Sequence, residues 1–137
     1  MKEIYQDKIL DLAKSTKLSE PVANPTHRVE KNNPICGDKV IIDVAIKDDL
    51  ISSIHLKVRG CALCEAGAGM WKEHAIGKSP RELKSLRDDF NDYLKNPEEN
   101  LNNKFECFEP IKKIKNRMEC VLLCFEAGTQ LKSINTE

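Results

Sequence analysis

Three cysteines and one aspartate stand where a folded chain could gather them into a single metal-binding or sulfur-handling site. Cys36 and Asp38 belong to the run N-P-I-C-G-D, Cys61 follows an apolar strand-like run, and Cys120 comes after a basic stretch near the C-terminus. Three thiolates and a carboxylate are ligands of the kind that bind zinc or iron. The sequence therefore predicts a four-ligand site made of these residues.

Cys61 carries the clearest chemical signal of the four. It follows Gly60 at the point where an apolar strand is predicted to lead into a helix. The positive end of a helix favours a thiolate over a thiol, and the thiolate is the form that binds metal or attacks sulfur. Arg117, one turn before Cys120, is placed to stabilise a second thiolate. The plainer alternative is that these cysteines are buried as small apolar residues.

The other cysteines add less. Cys61-x-x-Cys64 alone is a weak indication of a redox or zinc site, because such a site would normally include a second pair at similar spacing. Cys120-x-x-x-Cys124 does not supply one cleanly. We expect Cys64 to face the site, and Cys107 and Cys124 to be structural.

The length and the charge balance of the chain indicate a single domain without a nucleic-acid or membrane-surface partner. The 137 residues fit one domain, predicted to span 1–137, which is long enough to bury a core without metal or disulfide staples. The 22 basic and 22 acidic residues balance, so nothing indicates a nucleic-acid or membrane-surface partner. With no apolar leader and no long apolar run, we expect a cytoplasmic protein. In that reducing compartment the six cysteines favour metal or sulfur chemistry over disulfides.

The first half of the chain predicts one helix followed by strands. Apolar residues at helical spacing indicate a helix over residues 2–14, and a proline-containing connector with a possible edge strand at Thr26–Glu30 follows. Residues 39–47 and 54–59 alternate apolar and polar side chains, which is the period of half-buried strands. The turn between them predicts a hairpin, with His55 pointing outward and excluded from the site.

The second half predicts helices. Gly67 and Gly69 lie in a helical run of small residues, and each costs about 1 kcal/mol relative to alanine in a helix, so we expect close backbone packing there. Residues 79–82, S-P-R-E, combine an N-cap, a proline and a capping-box glutamate. Apolar residues spaced three and four apart then predict a helix from Pro110 to about Leu131.

Taken in order, the motifs resemble a known family. N-P-I-C-G-D, the G-C step at residues 60–61, a G-K-S and the R-M-E-C at residues 117–120 look like the U-type iron-sulfur cluster assembly scaffolds, namely IscU, SufU and the N-terminal domain of NifU. The resemblance covers roughly residues 26–127. Glu119 stands where the IscU group has a histidine. The long segment between residues 77–78 and Cys120, together with R-M-E-C, looks more like the SufU subgroup.

The resemblance implies a ligand set and a fold. It implies that Cys36, Cys61 and Cys120 hold the cargo together with Asp38, a hard carboxylate that binds a cluster less firmly than a fourth thiolate would. It implies an α+β fold, with a small antiparallel sheet, helices packed mainly on one face and the site at the end of the sheet. Strands followed by helices indicate the same class. In the family the last helix begins close to Cys120, which predicts a bend at residues 115–117.

Three functions remain open at this point. The first is a scaffold, not itself an enzyme, on which iron and sulfur from a cysteine desulfurase form a cluster, expected to be 2Fe-2S, for transfer to apo-proteins. The second is a zinc-dependent sulfurtransferase partner, in which zinc orders the loops and Cys120 accepts persulfide sulfur from the desulfurase. The third is a zinc-stabilised interaction module without chemistry. None of the three involves nucleic acid or membrane.

Overall fold

The computed structural model describes residues 3–100 and 103–132. One helix is followed by three strands and then by helical segments only. The elements are α1 (Glu3–Lys17), β1 (His27–Asn33), β2 (Asp38–Lys47), β3 (Leu50–Arg59), α2 (Ala62–Ala75), α3 (Pro80–Lys95), a 3-10 helix (Glu106–Lys113) and α4 (Lys115–Gly128).

The strands form one antiparallel sheet in the order β1-β2-β3. Along β2 every second residue is buried, from Asp38 to Ile46, while the residues between them are half-buried. Val29 of β1 and Leu56 of β3 both pair with Ile42 and are buried on the same side. Helices α1, α2 and α4 contact the strands. This arrangement confirms the predicted α+β class, in which an antiparallel sheet has one face packed on the core.

The hairpin between β2 and β3 is tight. Asp48 and Asp49 have φ angles of 55° and 63°, the left-handed conformation of a two-residue turn that matches the twist of the flanking strands. His55 on β3 is half-buried and its Nδ1 lies 3.2 Å from Ser19 Oγ. The hairpin prediction is confirmed, and the ring of His55 is used in holding the connector after α1 to the edge of the sheet.

Helix α2 is pressed between two other helices through its glycines. A Cβ at Gly67 would lie 2.2 Å from the carbonyl oxygen of Val121 in α4. A Cβ at Gly69 would lie 2.1 Å from the carbonyl oxygen of Leu12 in α1. Any side chain at either position would force the backbones apart. The close packing predicted from these glycines is therefore confirmed, and it holds α2 against both neighbouring helices.

Helix α3 starts as the sequence predicts. The Ser79 side chain accepts from the Glu82 N–H at 3.3 Å, and the Glu82 carboxylate accepts from the Ser79 N–H at 3.1 Å, which completes the capping box. The buried side of α3 then supplies Phe90 to a cluster of rings. We call Phe90, Phe105, Phe108 and Phe125 the aromatic cluster; ring centroids lie 4.6 Å apart for Phe90 and Phe105, and 4.5 Å apart for Phe90 and Phe125.

The C-terminal third corrects two predictions. One continuous helix over residues 110–131 was wrong, and so was a bend at residues 115–117. The chain instead breaks at Ile114, where φ is −122° and ψ is 81°, between the 3-10 helix and α4. Pro110 lies inside the 3-10 helix, where it disfavours continuous α-helix with the preceding turn. Apolar residues three apart suit a 3-10 helix as well as an α-helix, so periodicity could not tell them apart.

Residues from every element join one apolar core. The predicted domain of residues 1–137 extends past the described residues and stays a prediction. Among the described residues, no helix combines the length and apolar character needed to cross a membrane.

Candidate metal and sulfur site

The loop between β1 and β2 places Cys36 at the end of the sheet. The Asn33 side-chain oxygen accepts from the Ile35 N–H at 3.1 Å, and the Asn33 carbonyl accepts from the Gly37 N–H at 2.8 Å. Gly37 has a φ of 73°, which glycine adopts without the strain that a Cβ would cause. These contacts turn the chain sharply and leave Cys36 exposed.

Asp38 is the first residue of β2, and its side chain points to the buried side of the sheet with 5% of its surface exposed. Gly60, just beyond β3, makes room for it: a Cβ there would lie 2.7 Å from Asp38 Oδ1. The other carboxylate oxygen, Oδ2, is buried and has no hydrogen-bond partner. Burying an unpaired carboxylate oxygen is costly, so this atom points to a missing partner.

Cys120 reaches the same point from the second turn of α4. It is fully buried, and its Sγ lies 3.7 Å from Cys36 Sγ. The donor atoms of Cys36, Asp38 and Cys120 all lie within 4.8 Å of one another; we call these residues the ligand group. Burial raises the pKa of the Cys120 thiol above its usual range, and its hydrogen bonds with Asp38 and Cys36 raise that pKa further.

Cys61 lies beside the ligand group but not in it. Its thiol is absent from the set of donors within 4.8 Å of one another. It forms the N-cap of α2 and is half-buried, with Arg117 Nη1 lying 3.8 Å from its sulfur. The pKa of Arg117 is raised, first by its hydrogen bond with Cys120 and then by the nearby Cys61. Arg117 therefore contacts the thiol predicted for it and also holds Cys61.

The remaining cysteines have different surroundings. Cys64 is 2% exposed. Both Cys64 and Asp38 border Gly60, because a Cβ built on that glycine would lie 3.1 Å from the Cys64 Cβ and would also contact the Asp38 carboxylate. Burial raises the pKa of the Cys64 thiol to about 12, and Asp38 adds to the rise. Cys124 is buried in α4, and Cys107 is buried in the 3-10 helix.

The ligand group has donors of the right type and spacing for a metal. A tetrahedral ion with thiolate bonds of about 2.3 Å holds its ligands about 3.8 Å apart, close to the 3.7 Å between Cys36 and Cys120 sulfurs. The unpaired Asp38 Oδ2 gives a third donor that has no competing protein partner. Two thiols and a carboxylate thus fit either a zinc ion or one iron of a cluster, with one coordination position left for a fourth ligand.

Asn33 is a site residue that sequence reasoning missed. Its Nδ2 is buried without a hydrogen-bond partner, while its Oδ1 holds the Cys36 loop. It lines a cavity of about 310 Å³ together with Glu119 and Leu123 of α4. The sequence signal was its place at the start of N-P-I-C-G-D, before Pro34, where an asparagine often bonds its own turn.

The comparisons with known proteins decide the family. The NifU-like N terminal domain profile matches residues 4–113, which is most of the chain. The chain belongs to the NifU-like N-terminal domain family. This NifU-like chain is 30% identical over 102 residues to the iron-sulfur cluster assembly scaffold protein IscU of Streptococcus pyogenes serotype M1, covering 72% of this chain and 64% of that relative. The match therefore spans less than two thirds of the streptococcal protein.

A second relative aligns over more of the NifU-like chain. The zinc-dependent sulfurtransferase SufU of Bacillus subtilis (strain 168) is 24% identical over 127 residues, covering 90% of this chain and 86% of that one. Among solved structures, a nitrogen-fixing NifU-like N-terminal protein from Brucella abortus superposes with a TM-score of 0.76 at 26% identity, covering 92% of this chain and 90% of that one. The fold and the family are thus established together.

Proposed function

We propose that this NifU-like protein is an iron-sulfur cluster assembly scaffold. It receives sulfur from a cysteine desulfurase, binds iron and the growing cluster at Cys36, Asp38, Cys61 and Cys120, and passes the cluster to apo-proteins. The observation that carries this proposal is the buried Asp38 carboxylate, which has an unpaired oxygen and a donor atom within 4.8 Å of the Cys36 and Cys120 thiols. The relative from Streptococcus pyogenes bears the name of such a scaffold.

The exposure of the ligands suggests how cargo enters and leaves. Cys36 is exposed on its loop, whereas Cys120 and Asp38 are buried. A cargo atom would thus meet solvent on the Cys36 side. Cys61 completes the set when its thiol turns from Arg117 towards the ligand group. Asp38, the single oxygen ligand among soft thiolates, is the bond most readily given up.

Sulfur transfer would use the same thiols. In our proposal the Cys120 sulfur attacks the outer sulfur of the desulfurase persulfide, takes that sulfur and leaves the desulfurase with a free thiolate. Cys36, 3.7 Å from Cys120 and exposed, offers the path by which the sulfur reaches the buried residue. A cytoplasmic location suits this chemistry, because a reducing compartment keeps the thiols free.

A zinc-dependent sulfurtransferase is the second candidate. It is supported by the SufU relative, whose alignment covers 90% of this chain. Here zinc, and not a 2Fe-2S cluster, would bind the same four residues and order the Cys36 loop, and Cys120 would accept persulfide sulfur. The ligand group fits both cargoes, so the donor set itself does not distinguish them.

One measurement separates the candidates. The protein is purified without oxygen, before and after incubation with iron, L-cysteine and a cysteine desulfurase, and its zinc, iron and acid-labile sulfide are counted per chain. Iron with equal sulfide, transferable to an apo-ferredoxin-type acceptor, supports the scaffold. Stoichiometric zinc without sulfide supports the sulfurtransferase. Neither metal in wild type would overturn both proposals. Cys107→Ser, which removes a buried thiol of the 3-10 helix, should match wild type and serves as the control.

A further inference from the structure

The pair Cys61-x-x-Cys64 is the one thiol motif that cluster binding does not use in full. Cys61 is the half-buried N-cap of α2, and Cys64, three residues on, is 2% exposed. Residues three apart on a helix are neighbours on one face. A Cys-x-x-Cys pair at a helix start is the spacing of thiol–disulfide exchange sites, which combine an outer thiol with an inner one.

The inner thiol also borders the site. A Cβ built on Gly60 would lie 3.1 Å from the Cys64 Cβ and 2.7 Å from Asp38 Oδ1. The Cys64 side chain and the Asp38 carboxylate therefore both border Gly60. Asp38 is 95% buried and its Oδ2 has no partner. A group released beside Cys64 would therefore appear near Asp38 of the ligand group.

We propose that Cys64 is a resolving thiol that releases sulfide from a persulfide on Cys61. This rests on the proposed function, in which sulfur arrives as persulfide. Arg117 contacts the thiols of both Cys61 and Cys120, so its guanidinium links the residue that first carries the persulfide to Cys61. The Cys61 sulfur attacks the outer sulfur of that persulfide, a Cys61 persulfide forms and the Cys120 thiolate is freed.

The resolving step then balances as follows. The Cys64 sulfur attacks the inner sulfur of the Cys61 persulfide, a Cys61–Cys64 disulfide forms, and the bond to the outer sulfur breaks. The outer sulfur leaves as hydrosulfide and takes the proton of Cys64. The two thiols lose two electrons and the outer sulfur is reduced to sulfide, the oxidation state that a cluster contains. An external dithiol reductant restores the pair by thiol–disulfide exchange.

Arg117 has a part in this step. Its Nη1 lies 3.8 Å from the Cys61 sulfur, next to the bond that breaks. A guanidinium there stabilises the negative charge on the departing hydrosulfide. It is a positioning residue for the release, and Arg117→Lys should slow sulfide release more than it slows loading of the persulfide.

The test is a single-turnover experiment on the metal-free, reduced protein. Sulfur is supplied in two arms, from a cysteine desulfurase with L-cysteine and from sodium tetrasulfide, and excess donor is removed. Free sulfide is then followed with time, and the chain is mapped by alkylation and mass spectrometry. In wild type we expect sulfide release with a Cys61–Cys64 disulfide. In Cys64→Ser and Cys64→Ala we expect loss of that release and a persulfide retained on Cys61.

The controls keep the outcomes distinct. Cys107→Ser removes another buried thiol and should release sulfide like wild type, and thermal unfolding checks that each variant is folded. Release at the wild-type rate by folded Cys64→Ala overturns the proposal, and so does a disulfide that joins Cys36 and Cys120, whose sulfurs lie 3.7 Å apart. If the desulfurase loads no sulfur while tetrasulfide gives the Cys61–Cys64 disulfide, the proposed function fails and the resolving role of Cys64 stands.

Discussion

Helix α4 contributes one residue to the aromatic cluster and one to the ligand group, but the surroundings of these two residues differ. Phe125 of α4 packs against Phe90 with every ring of the cluster buried to 1% exposure or less. One turn and a half earlier, Cys120 contacts a buried carboxylate that has an unpaired oxygen. Rings in such a cluster stabilise the fold by burial and by edge contacts. The ligand group instead leaves polar atoms unsatisfied.

The contrast indicates that the aromatic cluster stabilises the fold, whereas the ligand group does not. A buried unpaired polar atom typically costs about 1–3 kcal/mol of stability. Burying one large apolar side chain contributes roughly the same amount. The fold can keep Asp38 and Asn33 partly unsatisfied because its glycine-packed helices and aromatic cluster hold the backbone without them. Damage to one region should therefore leave the other largely unchanged, and this separation can be tested.

Removing a ring from the aromatic cluster should have the largest effect on stability. Phe90→Ala is expected to lower the free energy of unfolding by about 3–5 kcal/mol, because a fully buried phenyl leaves a cavity. Metal bound per folded chain should not change. Urea unfolding of the metal-free protein measures the first quantity and metal analysis the second. Leu10→Ala, at a side chain 53% exposed, is the control; loss of metal from folded Phe90→Ala would refute the separation.

Asp38→Ala, unlike Phe90→Ala, should not lower the free energy of unfolding. Without metal, the variant removes a buried carboxylate with an unpaired oxygen, so its free energy of unfolding should stay level or rise by about 1 kcal/mol. We expect weaker zinc binding, because one donor is lost, but slower transfer of an assembled cluster, because the labile ligand is gone. Visible absorption during transfer to an apo-acceptor follows the second effect. A less stable apo-protein, or faster transfer, would contradict this account.

Cys36→Ser should change the site and almost nothing else. Its side chain is exposed, and exposed substitutions typically alter the free energy of unfolding by less than about 0.5 kcal/mol. Bound metal should nonetheless fall to a small fraction of wild type, as it should for Cys61→Ser and Cys120→Ser. Metal content is compared with that of Cys107→Ser, whose thiol is buried in the 3-10 helix and is not in the ligand group. Wild-type metal in any of the three would remove that residue from the ligand set.

The smallest effect is expected at the ion pair that joins α3 to α4. Arg87 Nη1 lies 2.7 Å from Glu126 Oε2, and both side chains are about one third exposed. Pairs this exposed contribute about 0.2–1 kcal/mol. Arg87→Ala should therefore shift the urea midpoint slightly and leave both metal content and sulfide release unchanged. A double-mutant cycle with Glu126→Ala measures the pair itself, and a coupling larger than that of Phe90 with Phe125 would reverse the ranking.

Much of the framework could be predicted because local rules and tertiary contacts agree there. The S-P-R-E capping box, the alternation in β2 and the glycines of α2 each have one physical explanation, and the structure contains it. The 3-10 helix could not be separated from an α-helix by spacing, because apolar residues three apart suit both kinds of helix. The contact between Arg117 and the Cys61 sulfur depends on how α4 packs against α2. No local sequence pattern predicts that packing.

Because of the glycine contacts of α2, part of the conformational entropy of the site is lost when the chain folds and not when cargo binds. Backbone lies directly on backbone at Gly67 and Gly69, so α2 cannot slide or turn without unfolding its neighbours. The backbone of Cys61, the N-cap of α2, is consequently fixed in place relative to Cys120 as the chain folds, before any cargo arrives. A binder whose groups are already ordered loses less freedom on association. In the proposed function, only the side chain of Cys61 and the exposed Cys36 would then have to move when a metal or cluster binds and when it leaves.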